Sequence, residues 1–244
     1  MIETTEHDDI AVLRMDHGPV NALDLELLTA LPRVLDQVAD ARAVVLTGIG
    51  RSFSAGVDLK RIADGGAEYV AEFLPALSVA ALALFEHRRP VVGAVNGHAL
   101  AGGCVLAAAC DLRLMSGGTV GLTELAAGVP FPTVPLEIMR HAVGPAAERL
   151  VLAAHRLDPA QAVEIGLVHE TVAPDALLPT ALDRAVHLAA APPEVYALAK
   201  SQLRRPARER IDVGTPLDEE EVLRIWSAPA LHAKLRDYLD SLAT

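Results

Sequence analysis

Apolar residues fall first into short unbroken runs and later into helical stripes. IAVLRM (10–15), AVVLTG (43–48) and VVGAV (91–95) are short apolar runs, rich in Val, with Gly or Pro at the edge of the latter two, and predict strands, the last two buried. DLRLM (111–115) and TVGL (119–122) predict two more short strands. Between them, LDLELLTALPRVLDQVAD (23–40) predicts a helix that must accommodate or kink at Pro32, and a long helix fills about 68–87. From about residue 134 onward the pattern is almost wholly helical, punctuated by Gly-Pro at 144–145, Asp-Pro at 158–159 and Pro-Pro at 192–193. The fold class is therefore α/β, with strands and helices alternating in the first half and helices in the second. With no long linker, the division expected is a core over 1–190 followed by a helical region over 191–244.

One stretch is ambiguous by pattern alone. Pro90 to Cys110 is 21 residues without Asp, Glu, Lys or Arg, long enough to span a bilayer. Asn96, His98 and four glycines argue against that, and Asn96-Gly97 marks a turn that cuts the run in two. A short buried strand and the start of a buried helix, CVLAAAC, follow from the division.

Composition narrows the function classes. Hydrophobic residues make up 52% of the 244 but aromatics only 3%, so Ala, Val and Leu must build the core. A formal net charge of −11 with no basic stripe argues against a nucleic-acid partner, while a few local basic residues would suffice for an anionic small molecule. Cys104 and Cys110 are too few for a disulfide framework and have no metal-binding spacing. The acidic N-terminus lacks the features of a signal peptide, and a soluble cytoplasmic protein without a membrane partner is expected.

AVVLTGIGRSFSAG (43–56) and PVVGAVNGHALAGG (90–103) echo each other, each placing an apolar strand before a loop that contains Ala-Gly. Two such loops at neighbouring strand ends can aim two backbone N–H groups at one point, the geometry of an oxyanion hole. A dehydrogenase reading, from TGIGRSFSAG (47–56) and the Tyr196-x-x-x-Lys200 pair, fails because Ser52 and Ser54 stand where a dinucleotide loop needs glycine.

Three segments carry a resemblance. FSAGVDLK (53–60), VNGHALAGGCVLAAACDLRL (95–114) and VGLTELAAGVPFP (120–132) are similar, in order and spacing, to the F-x-A-G-x-D-[LI] loop, the N-G-x-A-x-G-G-x stretch and the acidic segment of the crotonase (enoyl-CoA hydratase/isomerase) superfamily. PVNAL (19–23) and AQAVEIGLVHETV (160–172) also fit, so the resemblance covers nearly the whole chain. It implies a spiral of ββα units with a C-terminal helical trimerisation region, acting on acyl-coenzyme A as a homotrimer or dimer of trimers. It implies no metal and no cofactor beyond the coenzyme A of the substrate. It assigns the oxyanion-hole donors to the N–H groups of Val57 and Gly102, each such donor typically contributing about 2.7–4 kcal/mol in the transition state. It draws substrate contacts from the same segments: Ala55, Gly56, Asp58, Leu59, Lys60, His98, Gly103, Val105 and Phe131.

The departure from the family pattern concerns the acid and base. Many hydratases of the family carry Glu two positions after the second Gly of the N-G loop, where this chain has Val105; the second family Glu is retained as Glu124. Adding water across a double bond is served by two carboxylates, whereas moving a double bond needs one group that takes a proton from Cα and returns it at Cγ. The resemblance is accordingly closest to single-glutamate Δ3,Δ2-enoyl-CoA isomerases. A hydratase with a substitute acid (Glu137, or Asp111), other acyl-CoA chemistry such as thioester hydrolysis or C–C cleavage, and a non-catalytic acyl-CoA-binding protein are the alternatives. If Leu122, Leu125, Val129 and Phe131 pack on Glu124, its pKa must rise toward neutrality. Asp58 has a competing use as a helix cap, Asp111 as a local hydrogen-bonding group and His98 as a structural histidine. Lys60, Arg61 and Lys200 are candidates for the coenzyme A phosphates.

Overall fold

The computed structural model describes residues 1–242 and the side chains of residues 1–240. The last two residues of the expected C-terminal region lie outside the described residues. In chain order the strands are β1 (Ile2–His7), β2 (Ile10–Met15), β3 (Ala22–Leu23), β4 (Ala43–Gly48), β5 (Ser52–Ser54), β6 (Gly56–Val57), β7 (Val91–Val95), β8 (His98–Leu100), β9 (Leu112–Met115), β10 (Val120–Gly121), β11 (Arg156–Leu157) and β12 (Glu170–Thr171). The helices are α1 (Leu25–Gln37), α2 (Leu59–Phe85), α3 (Gly102–Ala109), α4 (Glu124–Ala127), α5 (Thr133–Val143), α6 (Ala146–Leu152), α7 (Pro159–Glu164), α8 (Leu177–Leu188), α9 (Pro193–Trp226) and α10 (Pro229–Leu242).

Six strands form the main sheet in the order β1-β2-β4-β7-β9-β12, parallel except for the β1–β2 hairpin. A second sheet runs β11-β10-β8-β5, and β3 pairs with β6. The chain steps from a main-sheet strand to a second-sheet strand to a helix three times over: β4-β5-α2, β7-β8-α3 and β9-β10-α4. These are the ββα units the resemblance implies. All six residues of β4 are buried because helices cover both faces of the main sheet, and the strand therefore has no polar alternation. On one face α8 lays Leu177, Ala181 and Ala185 over Ile10, Val12, Val45 and Val92.

The uncharged run of 90–110 is not one helix. It divides into β7, β8 and the eight-residue α3. The Asn96 side chain accepts the N–H of Gly48 at 3.0 Å and donates to the carbonyl of Gly50 at 3.1 Å, which ties this turn to the one after β4. Among the described residues, the one helix long and apolar enough to cross a membrane is α2. Its buried stripe, including Phe73, Leu77, Ala81 and Leu84, is packed in the core with α1, α3 and α10.

The expected helix at 68–87 begins earlier, at Leu59, because Asp58 caps it by accepting the N–H of Arg61 at 3.0 Å. The backbone breaks from helical geometry once inside it, at Gly66 (φ 65°). The helix predicted around Pro32 forms and continues through the proline, and α9 runs 34 residues through Pro206 and Pro216. The C-terminal helices join the core, where α9 contributes Ile211, Val222 and Trp226 and α10 contributes Leu231 and Leu235.

Candidate active site

The two Ala-Gly loops meet. Gly56 follows β5 with φ 89°, and a Cβ there would lie 2.5 Å from the carbonyl oxygen of Leu100 and 2.8 Å from Cβ of Ala101. A Cβ on Gly103 would lie 2.4 Å from the carbonyl oxygen of Ser54. Only residues without a side chain allow the loops to approach so closely.

The contact places Val57 beside Gly102. Gly102 is the first residue of α3, so no carbonyl of that helix reaches its N–H. Beside Val57, the Gly56 N–H is bound to Oγ of Ser54 at 3.1 Å and the Asp58 N–H to the carbonyl of Leu23 at 2.9 Å. In the parallel register that pairs Val57 with Leu23 it is the Asp58 N–H that bonds β3, so the Val57 N–H faces away from that strand. The Val57 side chain lies 3.8 Å from where a Cβ of Gly102 would be, and Leu77 lies 3.6 Å from the same point.

Glu124 opens α4 with 7% of its surface exposed. The segment before it is tied to the second loop: the Ala101 N–H donates to the carbonyl of Gly121 at 2.8 Å, three residues before Glu124. Cys104 of α3 feels its charge. Burial pushes the Glu124 carboxyl up to about 7, against the pull of its own N–H and that of Thr123, which donates to Oε2 at 2.8 Å. Leu122, Val129 and Phe131 are buried as expected, while Leu125 is exposed.

The other acids are committed elsewhere. Glu137 is buried but ion-paired to both Arg140 and Arg210. Asp111 does not bond locally as expected. Its Oδ2 takes Lys200 at 2.7 Å and the N–H of Val91 at 2.8 Å, and its Oδ1 takes Arg204 at 2.7 Å. Neither is available as a second acid. Val105 is buried in α3 and supplies none.

Several expected contacts are corrected. His98 is exposed, and its Nδ1 accepts the N–H of Thr119 at 3.1 Å, so it has a structural use. The Asp58 carboxylate caps α2. Lys200 is buried against Asp111 and is no candidate for a phosphate. Tyr196 bonds the same Asp111, so the Tyr-x-x-x-Lys pair is one face of α9 gripping an acid. Lys60 is exposed and pairs with Asp64 at 2.7 Å, and Arg61 pairs with Glu26 at 3.1 Å, both at the start of α2 beside the first loop. Ala55 and Leu59 are half-buried in that loop and helix start, and Phe131 is buried beyond α4.

Sequence reasoning missed two residues at the loops, Asn21 and Ser54. Asn21 sits at φ 51° in the turn before β3, a position where Asn is favoured, and that preference was its only signal. Ser54 carries no signal beyond its place in the motif.

Two glycine loops in contact, one of them opening a helix, and, among the described residues, one buried carboxylate without an ion pair are an arrangement suited to proton transfer next to a carbonyl. The chain matches the model of the enoyl-CoA hydratase/isomerase family over residues 5–223, and it belongs to that family. It is 28% identical over 250 aligned positions to human mitochondrial enoyl-CoA delta isomerase 1, covering 99% of this chain and 83% of the relative. A putative enoyl-CoA hydratase of Thermus thermophilus is 36% identical over 212 positions, 83% of each chain. The crystal structure of human mitochondrial delta3-delta2-enoyl-CoA isomerase superposes with a TM-score of 0.92 at 28% identity, over 99% of this chain and 98% of that one.

Proposed function

We propose that the protein is an enoyl-CoA isomerase that moves the double bond of a 3-enoyl-CoA to the 2-position. The observation that carries this reading is that, among the described residues, Glu124 is the one buried carboxylate without an ion pair, with Val105 where a second acid would stand. The Val57 and Gly102 N–H groups hydrogen-bond the thioester oxygen and acidify the protons at Cα. The Glu124 carboxylate takes one of them, giving a dienolate whose negative charge rests on that oxygen. The protonated Glu124 then returns the proton at Cγ, and the electron pair closes as the 2,3 double bond. Protons and electrons balance within substrate and Glu124, so the scheme invokes no metal or redox group. Ala55, Gly56, Leu59, Gly103 and Phe131 wall the substrate on this reading, and Lys60 and Arg61 lie where they meet its phosphates.

The test is an assay of the purified protein with a 3-enoyl-CoA and a 2-enoyl-CoA of equal length, followed by product mass. Conversion of the first to an isomer of equal mass, with little water added to the second, is the expected result. Hydration of the second at a comparable rate would make the enzyme a hydratase and overturn the inference from Val105.

The region 191–244 is proposed as the oligomerisation surface of a homotrimer. Support comes from Leu198, Leu203, Val213 and Leu217 of α9, large apolar side chains exposed by 59–74%. Light scattering at micromolar concentration should read three copies or a multiple of three; a monomer would refute the assignment.

A further inference from the structure

Ser54 touches both loops, and its side chain is fully buried. Its hydroxyl donates to the backbone carbonyl of Asn21 at 2.7 Å and accepts the N–H of Gly56 at 3.1 Å. Its carbonyl forms the floor on which Gly103 rests. Asn21 is also fully buried, and its amide donates to the carbonyls of Ser52 at 3.1 Å and Phe53 at 3.2 Å. Its side-chain oxygen accepts the N–H of His17 at 2.9 Å. The N–H of Ala55 donates to the carbonyl of Val20 at 2.9 Å. Each residue from 52 to 55 is thus fastened to the turn between β2 and β3.

The Gly56–Val57 segment needs such support. Gly56 has the freest backbone of the chain's residue types and occupies a left-handed conformation, so nothing intrinsic fixes the direction of the N–H that follows it. The hydroxyl of Ser54 holds the Gly56 N–H, and the Leu23 carbonyl holds that of Asp58. Between those two bonds the orientation of the Val57 N–H is determined. The same serine sets the distance to α3 through Gly103.

We propose that Ser54, backed by Asn21, is a positioning residue for the oxyanion hole: it aims the Val57 N–H at the point that the Gly102 N–H also faces. This rests on the reading of Val57 and Gly102 as the donor pair. Removing the hydroxyl leaves the contacts that bind coenzyme A in place but lets one donor swing.

The experiment compares wild type with Ser54→Ala in two readings, the kcat and KM for a 3-enoyl-CoA and the infrared carbonyl frequency of a bound 2-enoyl-CoA. Wild type should lower that frequency relative to free thioester, because two hydrogen bonds polarise the carbonyl. In Ser54→Ala the frequency should return toward the free value and kcat fall on the order of 10–100-fold, with the dissociation constant changed by less than about threefold. Asn21→Gly, which keeps the left-handed backbone and the carbonyl but loses the side-chain bonds, should move both readings the same way by less. If Ser54→Ala does not fold, Ser54→Cys, which keeps the volume, and Asn21→Gly provide the same two readings. A folded variant with unchanged kcat and carbonyl frequency would reduce Ser54 to packing and overturn the proposal. A wild-type frequency equal to that of free thioester would instead refute the donor pair itself, a separate failure.

Discussion

Glu124→Gln is expected to lower kcat for isomerisation by about 10³-fold, since a positioned acid–base group commonly supplies roughly 10²–10⁴. Affinity for the acyl-CoA should change little, because the amide keeps the shape of the carboxyl and the binding contacts lie elsewhere. The same carboxyl makes a second, independent prediction. Its pKa of about 7 in the fold lies above the ordinary value of 4.5, so between those values the folded state holds the proton more tightly than the unfolded chain. Stability therefore falls as pH rises through that window, and above pH 7 the buried charge costs at most about 3 kcal/mol. Glutamine escapes this cost. Urea denaturation should find Glu124→Gln more stable than wild type at about pH 8 and equal to it near pH 4. In wild type, kcat/KM should climb with pH through about 7 as the base form appears. Equal stability at the higher pH together with undiminished turnover would remove Glu124 from the mechanism.

What makes this site legible in the sequence is the chemistry of its loops. Strands β2, β4 and β7 match their predicted bounds because helices or sheet neighbours bury them along their length, and such strands stand out as unbroken apolar runs. The two glycine-containing loops point to paired N–H donors by their residue types alone, since glycine is required wherever backbones approach this closely. Short pairs such as β3 and β6 are not legible, because two residues carry no period. The acidic N-terminal stretch gives no sign of strand β1, whose residues 3–7 are exposed on the sheet edge, where polarity is no obstacle to pairing. Side chains near the motif are the least predictable. His98, Asp58 and Lys200 each lie in or near a segment that suggests substrate, yet each has a backbone or ionic partner that sequence spacing does not encode. For His98 and Lys200 the deciding partners stand 21 and 89 residues away.

Asp111→Asn should be the most damaging substitution to stability, at about 3–5 kcal/mol, the range for breaking one side of a buried ion pair. Lys200 and Arg204 project from α9 into a pocket where their side chains are only 7% and 9% exposed, and Asp111 is the anion both of them contact. Arg204 has other supports, the carbonyls of Phe85 and Ala109 and the face of the Phe85 ring 4.2 Å away. Among the described residues, Lys200 has only the carbonyl of Arg89 at 3.4 Å as a hydrogen-bond acceptor besides the acid. Burial already pulls the Lys200 ammonium down to about 8 despite Asp111, so an amide at position 111 leaves deprotonation as its cheapest relief. The unfolded chain then binds a proton that the folded one sheds, and the deficit of Asp111→Asn should shrink as pH rises toward about 8 and stay level above it, where Lys200 is neutral in the folded wild type as well. Adding Lys200→Met should recover part of the loss at about pH 7 by removing the stranded charge. Guanidinium titrations of the two variants measure both effects. Turnover per folded molecule should survive Asp111→Asn, because its carboxylate anchors a helix to a sheet end. A variant that folds as well as wild type yet loses turnover would make Asp111 the missing acid after all.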